Sequence, residues 1–239
     1  RCAGFVAWVA THEHELDEVG RVERPYSRVI AEGVGHEEPA LAAFYEANRG
    51  RFEAELEFPY LAHAAMEPLN CAVRIGPDRC EIWTGTQAQT FEQMAAAAIT
   101  GLKPEQVQIH TTFLGGGFGR RAVPGSDWVS EAVHVAKAAG APVKTVWTRE
   151  DDVRGGYYRP AFLHRVHVAL GADGLPAAWD HTMVGQSVMA GSPFEASFAK
   201  TGIDPTSVEG VADSPYLKAI ANHRVQLHDY RAPIPVLWW

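Results

Sequence analysis

Two turn sequences, each flanked by segments of β-like composition, constrain the fold of this chain more than any other feature. One is Gly76-Pro77-Asp78-Arg79 and the other is Ala172-Asp173-Gly174. Short turns rich in glycine, proline and aspartate join antiparallel strands, so each turn predicts a β-hairpin. The four strands predicted for these hairpins span residues 69–75, 80–86, 162–170 and 177–184.

The register of the first hairpin also predicts the state of its cysteines. Ile75 lies opposite Cys80 across the turn, so Cys71 faces Thr84 on the partner strand. We therefore expect no disulfide between Cys71 and Cys80. With Cys2 the chain has three cysteines, too few for a disulfide framework.

A first helix is predicted over residues 90–101. Thr90 and Gln93 stand three residues apart, in the pattern of a capping box. An alanine-rich stretch follows, and Gly101 is the residue type that most often ends a helix in a left-handed conformation. A weaker helical pattern covers residues 39–48.

A second helix is predicted over residues 127–139, where apolar residues recur at helical spacing. Ser126 or Asp127 caps its start, and Gly140 ends it before a proline. Further strands are predicted at 107–114, 143–147 and 223–230. Hairpins that alternate irregularly with helices favour an α+β fold, with mixed sheets and packed helices, over a doubly wound parallel sheet.

The charge balance and the apolar runs exclude several classes of protein. The 29 acidic and 21 basic residues give a net charge of −8 without a basic stripe, so nucleic acid is not a predicted partner. No apolar run approaches the roughly 18 residues that a membrane span needs. His12 and His14 lack a third ligand nearby and the chain has no C-x-x-C pair, so no metal site is predicted.

The strongest local feature is the glycine loop, Gly115-Gly116-Gly117-Phe118-Gly119-Arg120-Arg121. Missing side chains let backbone N–H groups approach a ligand closely, and the two arginines add positive charge suited to an anionic group. A flexible turn between a strand and a helix is an equally good interpretation of this pattern. The loop is not a Walker loop, and it lacks the third glycine of a dinucleotide fingerprint.

Three other segments carry side chains that could take part in catalysis or bind a ligand or metal. His63 and Glu67, four residues apart, can share a helical face as an acid–base pair, although a packed histidine and a structurally paired glutamate are favoured. Residues 84–87 offer hydroxyls and an amide, which can bind a polar ligand or start the next helix. Asp151 and Asp152 can form a metal pair, although a solvated loop is favoured.

Taken in order, five segments resemble the molybdenum-binding large subunit of the xanthine oxidase family of molybdenum hydroxylases. The nearest branch contains the isoquinoline 1-oxidoreductase β-subunit and related bacterial aldehyde dehydrogenases. The resemblance covers about residues 55–239. The segments are EFPYLAHAAMEP at 57–68, WTGTQ at 83–87, GGGFGRR at 115–121, WTREDD at 147–152 and YYRP at 157–160.

The resemblance implies a molybdopterin cofactor, in its cytosine dinucleotide form, and oxidation of an aldehyde or an N-heterocycle with oxygen from water. It implies that electrons leave through [2Fe–2S] clusters in a separate iron–sulfur small subunit. It also implies that the glycine loop contacts the cofactor near the metal. The cofactor-binding residues predicted in this way are Gly116, Gly117, Phe118, Gly119 and Arg120.

Three positions depart from the pattern of the family. Leu61 stands where many relatives have a glutamine beside the metal, and Ala122 stands where xanthine-oxidising relatives have a substrate-binding glutamate. Gly210 stands where those relatives have a substrate arginine. These departures argue against purine oxidation and favour an N-heterocycle or an aldehyde as the small-molecule substrate.

The resemblance further implies that the chain is the front portion of a larger subunit. Residues 55–239 are predicted to form the first part of the cofactor-binding domain, and residues 1–54 are unassigned. No catalytic residue is predicted in this chain, because the general base of the family lies in the rest of the large subunit. We expect the chain alone to be inactive. A non-catalytic binding or assembly module and a nucleotide-binding enzyme stay open as alternatives.

Related subunits of this branch are often exported, so a periplasmic or membrane-associated location through partners is expected, and a cytoplasmic one otherwise.

Overall fold

The computed structural model describes residues 27–32, 52–198 and 202–239. Cys2, the histidine pair His12 and His14, and the predicted helix at 39–48 lie outside the described residues. The chain divides into two compact units. The first comprises Arg1–Tyr60 and Pro160–Pro233, and the second comprises Leu61–Arg159 and Ile234–Trp239.

The strands of the described residues, in chain order, are β1 (Ser27–Glu32), β2 (Glu53–Phe58), β3 (Leu61–Ala62), β4 (Asn70–Ile75), β5 (Cys80–Thr84), β6 (Val107–Thr111), β7 (Val143–Val146), β8 (Tyr158–Arg159), β9 (Phe162–Leu170), β10 (Pro176–Gly185) and β11 (Asn222–Asp229). The α-helices are α1 (Gln89–Thr100), α2 (Asp127–Ala139), α3 (Arg149–Arg154), α4 (Glu195–Phe198) and α5 (Pro215–Ala219). Within the described ranges no helix has both the length and the apolar character that crossing a bilayer requires.

The second unit is built on a four-stranded sheet in the order β6-β5-β4-β7. Strands β5 and β6 are parallel and the other neighbours are antiparallel. The first predicted hairpin is confirmed as β4–β5, with Ile75 opposite Cys80 and Cys71 opposite Thr84. Both cysteines are buried and free.

Helix α1 confirms the first predicted helix and corrects its start. It begins at Gln89, so Thr90 lies inside the helix, and the predicted capping box does not form. The N–H of Ala88 at the helix start instead donates to the Thr86 hydroxyl, at 2.9 Å. The end is as predicted, because Gly101 adopts a left-handed φ of 81° and its N–H bonds the Ala97 carbonyl.

Helix α2 confirms the second predicted helix, but neither candidate side chain caps it. Ser126 occupies the cap position with a φ of 48° and no side-chain hydrogen bond. Asp127 is bound by Arg120 instead. The predicted apolar stripe is buried except at Ala139, which is exposed, and Gly140 ends the helix as expected.

The core of the second unit lies between its sheet and its two long helices. Helix α2 packs on β4 and β7, and α1 packs on α2 and β6. Trp128 of α2 is the largest fully buried side chain, and its indole N–H donates to the Thr84 hydroxyl at 3.1 Å. This bond ties α2 to the carboxyl end of β5.

The first unit is built on a five-stranded sheet in the order β1-β11-β10-β9-β2. Strands β10 and β11 are parallel, and the other pairs are antiparallel. The second predicted hairpin is confirmed as β9–β10. With mixed sheets in both units and helices packed in the second, the predicted α+β class is confirmed.

Four predicted strands are shorter in the structure than in the sequence pattern: β4 begins one residue later, β5 ends two residues earlier, at Thr84, and β6 and β7 also end early. Strand β6 ends at Thr111, because the chain leaves the sheet after the Thr112 N–H bonds the Thr84 carbonyl at 3.0 Å. Strand β7 ends at Val146 and is only half-buried. The strand predicted at 223–230 is β11, shifted by one residue.

Candidate functional site

The candidate site lies where the parallel strands β5 and β6 end. Thr84 and Thr111 are partners in the register, so both strands end at the same edge of the sheet. Loops at the carboxyl ends of parallel strands are where ligands bind in many α/β folds. The segment 85–87 follows β5, and the glycine loop 115–121 follows β6 by three residues. The topology therefore brings two of the predicted segments together.

Arg121 holds the two segments in place. Its side chain is fully buried, and its guanidinium donates to the carbonyls of Gly116 at 2.9 Å, Gly85 at 3.3 Å and Glu67 at 3.0 Å. A guanidinium presents five N–H groups in a fixed plane, so one side chain can bind three segments at once. Arg121 is therefore a structural strut for the site.

Arg120 is also used inside the protein. Its side chain is buried and binds Asp127 at both carboxylate oxygens, at 3.1 and 2.7 Å. The same guanidinium lies over the rings of Trp128, Trp147 and Tyr157 at 5.5 to 5.9 Å. The positive charge of both arginines, which the sequence suggested for an anionic group, is thus directed at partners within the chain.

In the backbone of the glycine loop, carbonyl groups have hydrogen-bond partners in the chain, whereas four successive N–H groups have none in the described ranges. The loop carbonyls accept bonds from the chain: Gly115 from the Glu67 N–H, Gly117 from the Arg120 N–H and Gly119 from the Ala122 N–H. In contrast, the N–H groups of residues 116–119 donate to no residue in the described ranges. Four successive donors are therefore available to a ligand.

The conformation of the loop is unusual at these donors. Gly116, Phe118 and Gly119 have positive φ angles of 104°, 53° and 91°. Three of the four residues whose N–H groups have no partner in the described ranges thus have positive φ angles, so the unusual backbone conformation and the unused donors coincide. Phe118 is the costly member, because a bulky side chain disfavours the left-handed region. Phe118 as a whole is 56% exposed.

Close packing explains why glycine is needed at Gly115 and Gly119, and at Gly117 a side chain would have to displace the end of Gln87. A Cβ on Gly115 would clash with the Glu67 side chain, and one on Gly119 would clash with the Trp238 carbonyl. A Cβ on Gly117 would lie 2.7 Å from Oε1 of Gln87. The glycines thus let the loop lie directly against neighbouring chain segments.

The acid–base pair considered for His63 and Glu67 does not form. The segment is extended and bent, so the two side chains do not share a helical face. Glu67 accepts the Gly115 N–H at 2.6 Å and the Asn70 amide at 2.6 Å. Burial opposes the charged form of Glu67, but these bonds and the Arg121 charge together lower its pKa. Glu67 is a structural partner of the loop, as the favoured interpretation predicted.

His63 is packed, also as the favoured interpretation predicted. Its Nε2 lies 2.9 Å from the Trp238 carbonyl and its Nδ1 lies 3.3 Å from the Tyr157 carbonyl. The ring stacks on Trp239 with a centroid distance of 5.0 Å, and Trp239 stacks in turn on Phe118 at 5.9 Å. Burial lowers the pKa of His63 more than the two carbonyls raise it. The His63 ring therefore supports the glycine loop indirectly, through Trp239, which stacks on Phe118.

The aspartate pair has structural roles. Asp151 caps helix α3 by accepting the Thr148 N–H at 2.9 Å, and Asp152 binds Arg149 at 2.6 Å. Across the described ranges, no three histidine, cysteine, aspartate or glutamate side chains come close enough to hold a metal ion.

The three departures from the family pattern lie in different places. Ala122 directly follows the glycine loop, and Leu61 lies in β3, 44% exposed. Gly210 belongs to the first unit and has a φ of 77°.

Two residues of the site were missed or undervalued in the sequence. Gln87 contacts the glycine loop directly, and its place after a predicted strand was the available signal. Glu92 in α1 is 1% exposed and has no hydrogen-bond partner for either carboxyl oxygen among the described residues. Burial raises its pKa to about 7, against smaller opposing effects of Thr86 and Arg121. No local pattern marks such a residue.

Comparison with known proteins gives a consistent result. The family model for the molybdopterin cofactor-binding domain matches residues 26–206. The β-subunit of isoquinoline 1-oxidoreductase from Brevundimonas diminuta is 32% identical over 200 residues. That match covers 78% of this chain and 25% of the relative, so the chain spans about a quarter of the relative's length.

Solved structures share the fold at low sequence identity. Quinoline 2-oxidoreductase from Pseudomonas putida 86 aligns with a TM-score of 0.62 and 14% identity, over 88% of this chain and 26% of that one. Aldehyde oxidoreductase from Desulfovibrio gigas aligns with a TM-score of 0.58 and 20% identity, over 87% of this chain and 22% of that one. These likenesses support the fold.

Proposed function

Because this chain belongs to the molybdopterin cofactor-binding domain family of the molybdenum hydroxylases, we propose that its glycine loop contacts the molybdopterin cofactor. The single observation that carries this proposal is the row of four N–H groups, in residues 116–119, that donate to nothing within the described residues. The proposed binding residues are Gly116, Gly117, Phe118, Gly119 and Arg120.

The donors of the loop fit such a group. A pterin with a phosphate presents oxygen and nitrogen acceptors, which suit a row of backbone N–H groups without partners in the described residues. The exposed Phe118 ring offers an apolar face to a flat heterocycle. Arg120 enters as support, since Asp127 holds its guanidinium and its own N–H bonds Gly117. When bound, the group supplies a molybdenum centre that accepts electrons from the substrate.

For the whole protein, we propose oxidation of an aldehyde or an N-heterocycle with oxygen from water. The relative named isoquinoline 1-oxidoreductase supports this substrate class, and Ala122 and Gly210 supply no charged group to bind a purine. We propose the cytosine dinucleotide form of the cofactor and an iron–sulfur small subunit with [2Fe–2S] clusters as the electron-accepting partner.

This chain alone is proposed to be inactive. His63 is enclosed between two carbonyls and Glu67 holds the Gly115 N–H, so neither is free to move a substrate proton. Residues 55–239 are proposed as the front portion of the cofactor-binding domain, completed by the rest of the large subunit. A periplasmic or partner-mediated membrane location is proposed, with the cytoplasm as the alternative, and cell fractionation tests it.

The experiment compares Gly119→Val with Gly140→Val in the full subunit, purified with its natural partners. Both glycines have a positive φ, so valine strains the backbone at both, but no atom lies within 4 Å of a Cβ at Gly140. We expect Gly119→Val to lose most of its molybdenum and pterin while Gly140→Val keeps both. Metal analysis and pterin fluorescence give the measurement. Full occupancy in Gly119→Val would show that the loop is only a turn.

A further inference from the structure

Gln87 makes two hydrogen bonds with the backbone of Arg121, one to its carbonyl and one from its N–H. Its N–H donates to the Arg121 carbonyl at 2.9 Å, and its side-chain Oε1 accepts the Arg121 N–H at 3.3 Å. Because a backbone N–H can only donate, this second bond identifies which end of the Gln87 amide is the oxygen. The NH₂ end of the amide is thereby fixed as well.

The same carboxamide lies against the glycine loop. A Cβ on Gly117 would be 2.7 Å from Oε1, 3.0 Å from Cδ and 3.5 Å from Nε2 of Gln87. The amide group therefore lies close to Gly117, whose N–H is one of the four donors without a partner in the described ranges. The Gln87 side chain is exposed, and its Nε2 donates to no residue within the described ranges.

These contacts place two kinds of unused donor side by side. The backbone offers the N–H groups of residues 116–119, and Gln87 offers an NH₂ group held in position by its own oxygen. Both are neutral, whereas the two nearby cations, Arg120 and Arg121, are bound to partners inside the chain. Backbone N–H groups and a carboxamide NH₂ can donate to the oxygen and nitrogen acceptors of a heterocyclic ring, and neither needs a charged partner to do so.

We propose that Gln87 is a cofactor-binding residue, whose oxygen anchors the glycine loop at Arg121 and whose NH₂ group donates a hydrogen bond to an acceptor on the pterin ring. This inference rests on the proposed function of the loop. It adds a side chain from the segment after β5 to a site otherwise made of backbone donors. Gln87 thus links the position of the loop to recognition of its ligand.

The test is Gln87→Glu in the full subunit with its partners. Glutamate keeps the size of the side chain and an oxygen for the Arg121 N–H, but it removes both N–H donors. The matched control is Gln89→Glu, two residues further on, where an exposed amide donates to the Thr111 hydroxyl at 3.2 Å. Each variant is measured for pterin and molybdenum content and for thermal unfolding of the cofactor-free subunit.

We expect Gln87→Glu to lower pterin content about tenfold relative to Gln89→Glu, with equal unfolding temperatures in the two cofactor-free variants. Gln87→Met, which loses both the donor and the anchor, is expected to lower pterin content as much and the unfolding temperature as well. Equal pterin content in Gln87→Glu and Gln89→Glu would overturn the donor role. A drop in unfolding temperature for Gln87→Glu that matches Gln87→Met would show a purely structural role. A wild-type subunit without pterin would instead reject the proposed function of the loop.

Discussion

Among the described strands, each unit contains one parallel pair, yet the two pairs end differently. In the second unit, β5 and β6 lead to the glycine loop, whose N–H groups at residues 116–119 have no partner among the described residues. In the first unit, β10 and β11 end at Gly185 and Asp229, and the Tyr230 N–H bonds the Gly185 carbonyl at 2.7 Å. Gln186 is bonded by Tyr60 and bonds the Ala232 carbonyl. One end is therefore open to a ligand and the other is closed by the chain.

The difference shows that the carboxyl end of a parallel pair does not make a site by itself. Gly185, at the closed end, is glycine because a Cβ there would clash with the Phe162 ring. Gly116 and Gly119, at the open end, have positive φ angles, and their N–H groups donate to no residue in the described ranges. Close packing thus requires glycine at both ends, and at the open end the glycines also have the positive φ angles of a loop whose N–H groups are unused.

The largest expected effect on stability comes from removing the side chain of Arg121, which binds the segments at the open end. Arg121→Met leaves the carbonyls of Gly116, Gly85 and Glu67 without their donor, in one buried and two partly buried hydrogen bonds. We expect a loss of about 3–5 kcal/mol in the free energy of unfolding, measured by chemical denaturation of the subunit. An Arg121→Met subunit with wild-type unfolding free energy and cofactor content would contradict the role given to this side chain at the open end.

Arg79→Met is the matched control for the strut. Arg79 has a side chain that is 63% exposed and an ion pair with Glu81 at 3.4 Å. Exposed pairs of this kind contribute about 1 kcal/mol or less. A loss for Arg79→Met as large as that for Arg121→Met would mean that the burial of Arg121 is not the cause.

The second prediction concerns the buried carboxyl of Glu92 behind the open end. Burial raises its pKa from 4.5 to about 7, so between these values the folded state binds more protons than the unfolded state. The contribution of Glu92 to the free energy of unfolding is therefore greatest below about pH 4.5 and falls as the pH rises to about 7. At 1.36 kcal/mol per pH unit, this contribution falls by about 3 kcal/mol.

Glu92→Gln removes this dependence, because glutamine does not titrate. We expect the difference in unfolding free energy between the variant and the wild type to shift in favour of the variant as the pH rises from 5 to 8. Denaturation curves at these two pH values measure it. A constant difference between the variant and the wild type would contradict the assignment of the raised pKa.

The smallest expected effect is at the closed end. Gly185→Ala forces the Phe162 ring to move, which costs about 1–3 kcal/mol of stability, as overpacking does elsewhere. Because no ligand is proposed there, molybdenum and pterin content are expected to stay at the wild-type level. Gly125→Ala, with no atom within 4 Å of the new Cβ, is the control and is expected to change stability by about 0.5 kcal/mol or less. Loss of cofactor in Gly185→Ala would remove the distinction between the two ends.

Local patterns in the sequence predicted the elements that surround the site. The hairpins β4–β5 and β9–β10 follow from turn residues only a few positions from the strands they join. The ends of α1 and α2 follow from Gly101 and Gly140, which take left-handed conformations directly after each helix. The starts of the helices were less predictable. Thr90 fits a capping pattern in sequence, yet the cap position lies two residues earlier, at Ala88, whose N–H donates to the Thr86 hydroxyl.

The sequence by itself determined the fold class, the hairpin register and the glycine loop as the place to look, because turns, helix ends and strand alternation depend on neighbours in the chain. It left open whether the loop is a site or a turn, and it assigned the charge of Arg120 and Arg121 to an outside group. Only the tertiary structure decided that these charges are bound internally. Their partners are too distant in sequence to be read from any window: Arg121 bonds Glu67 across 54 residues, and His63 bonds Trp238 across 175.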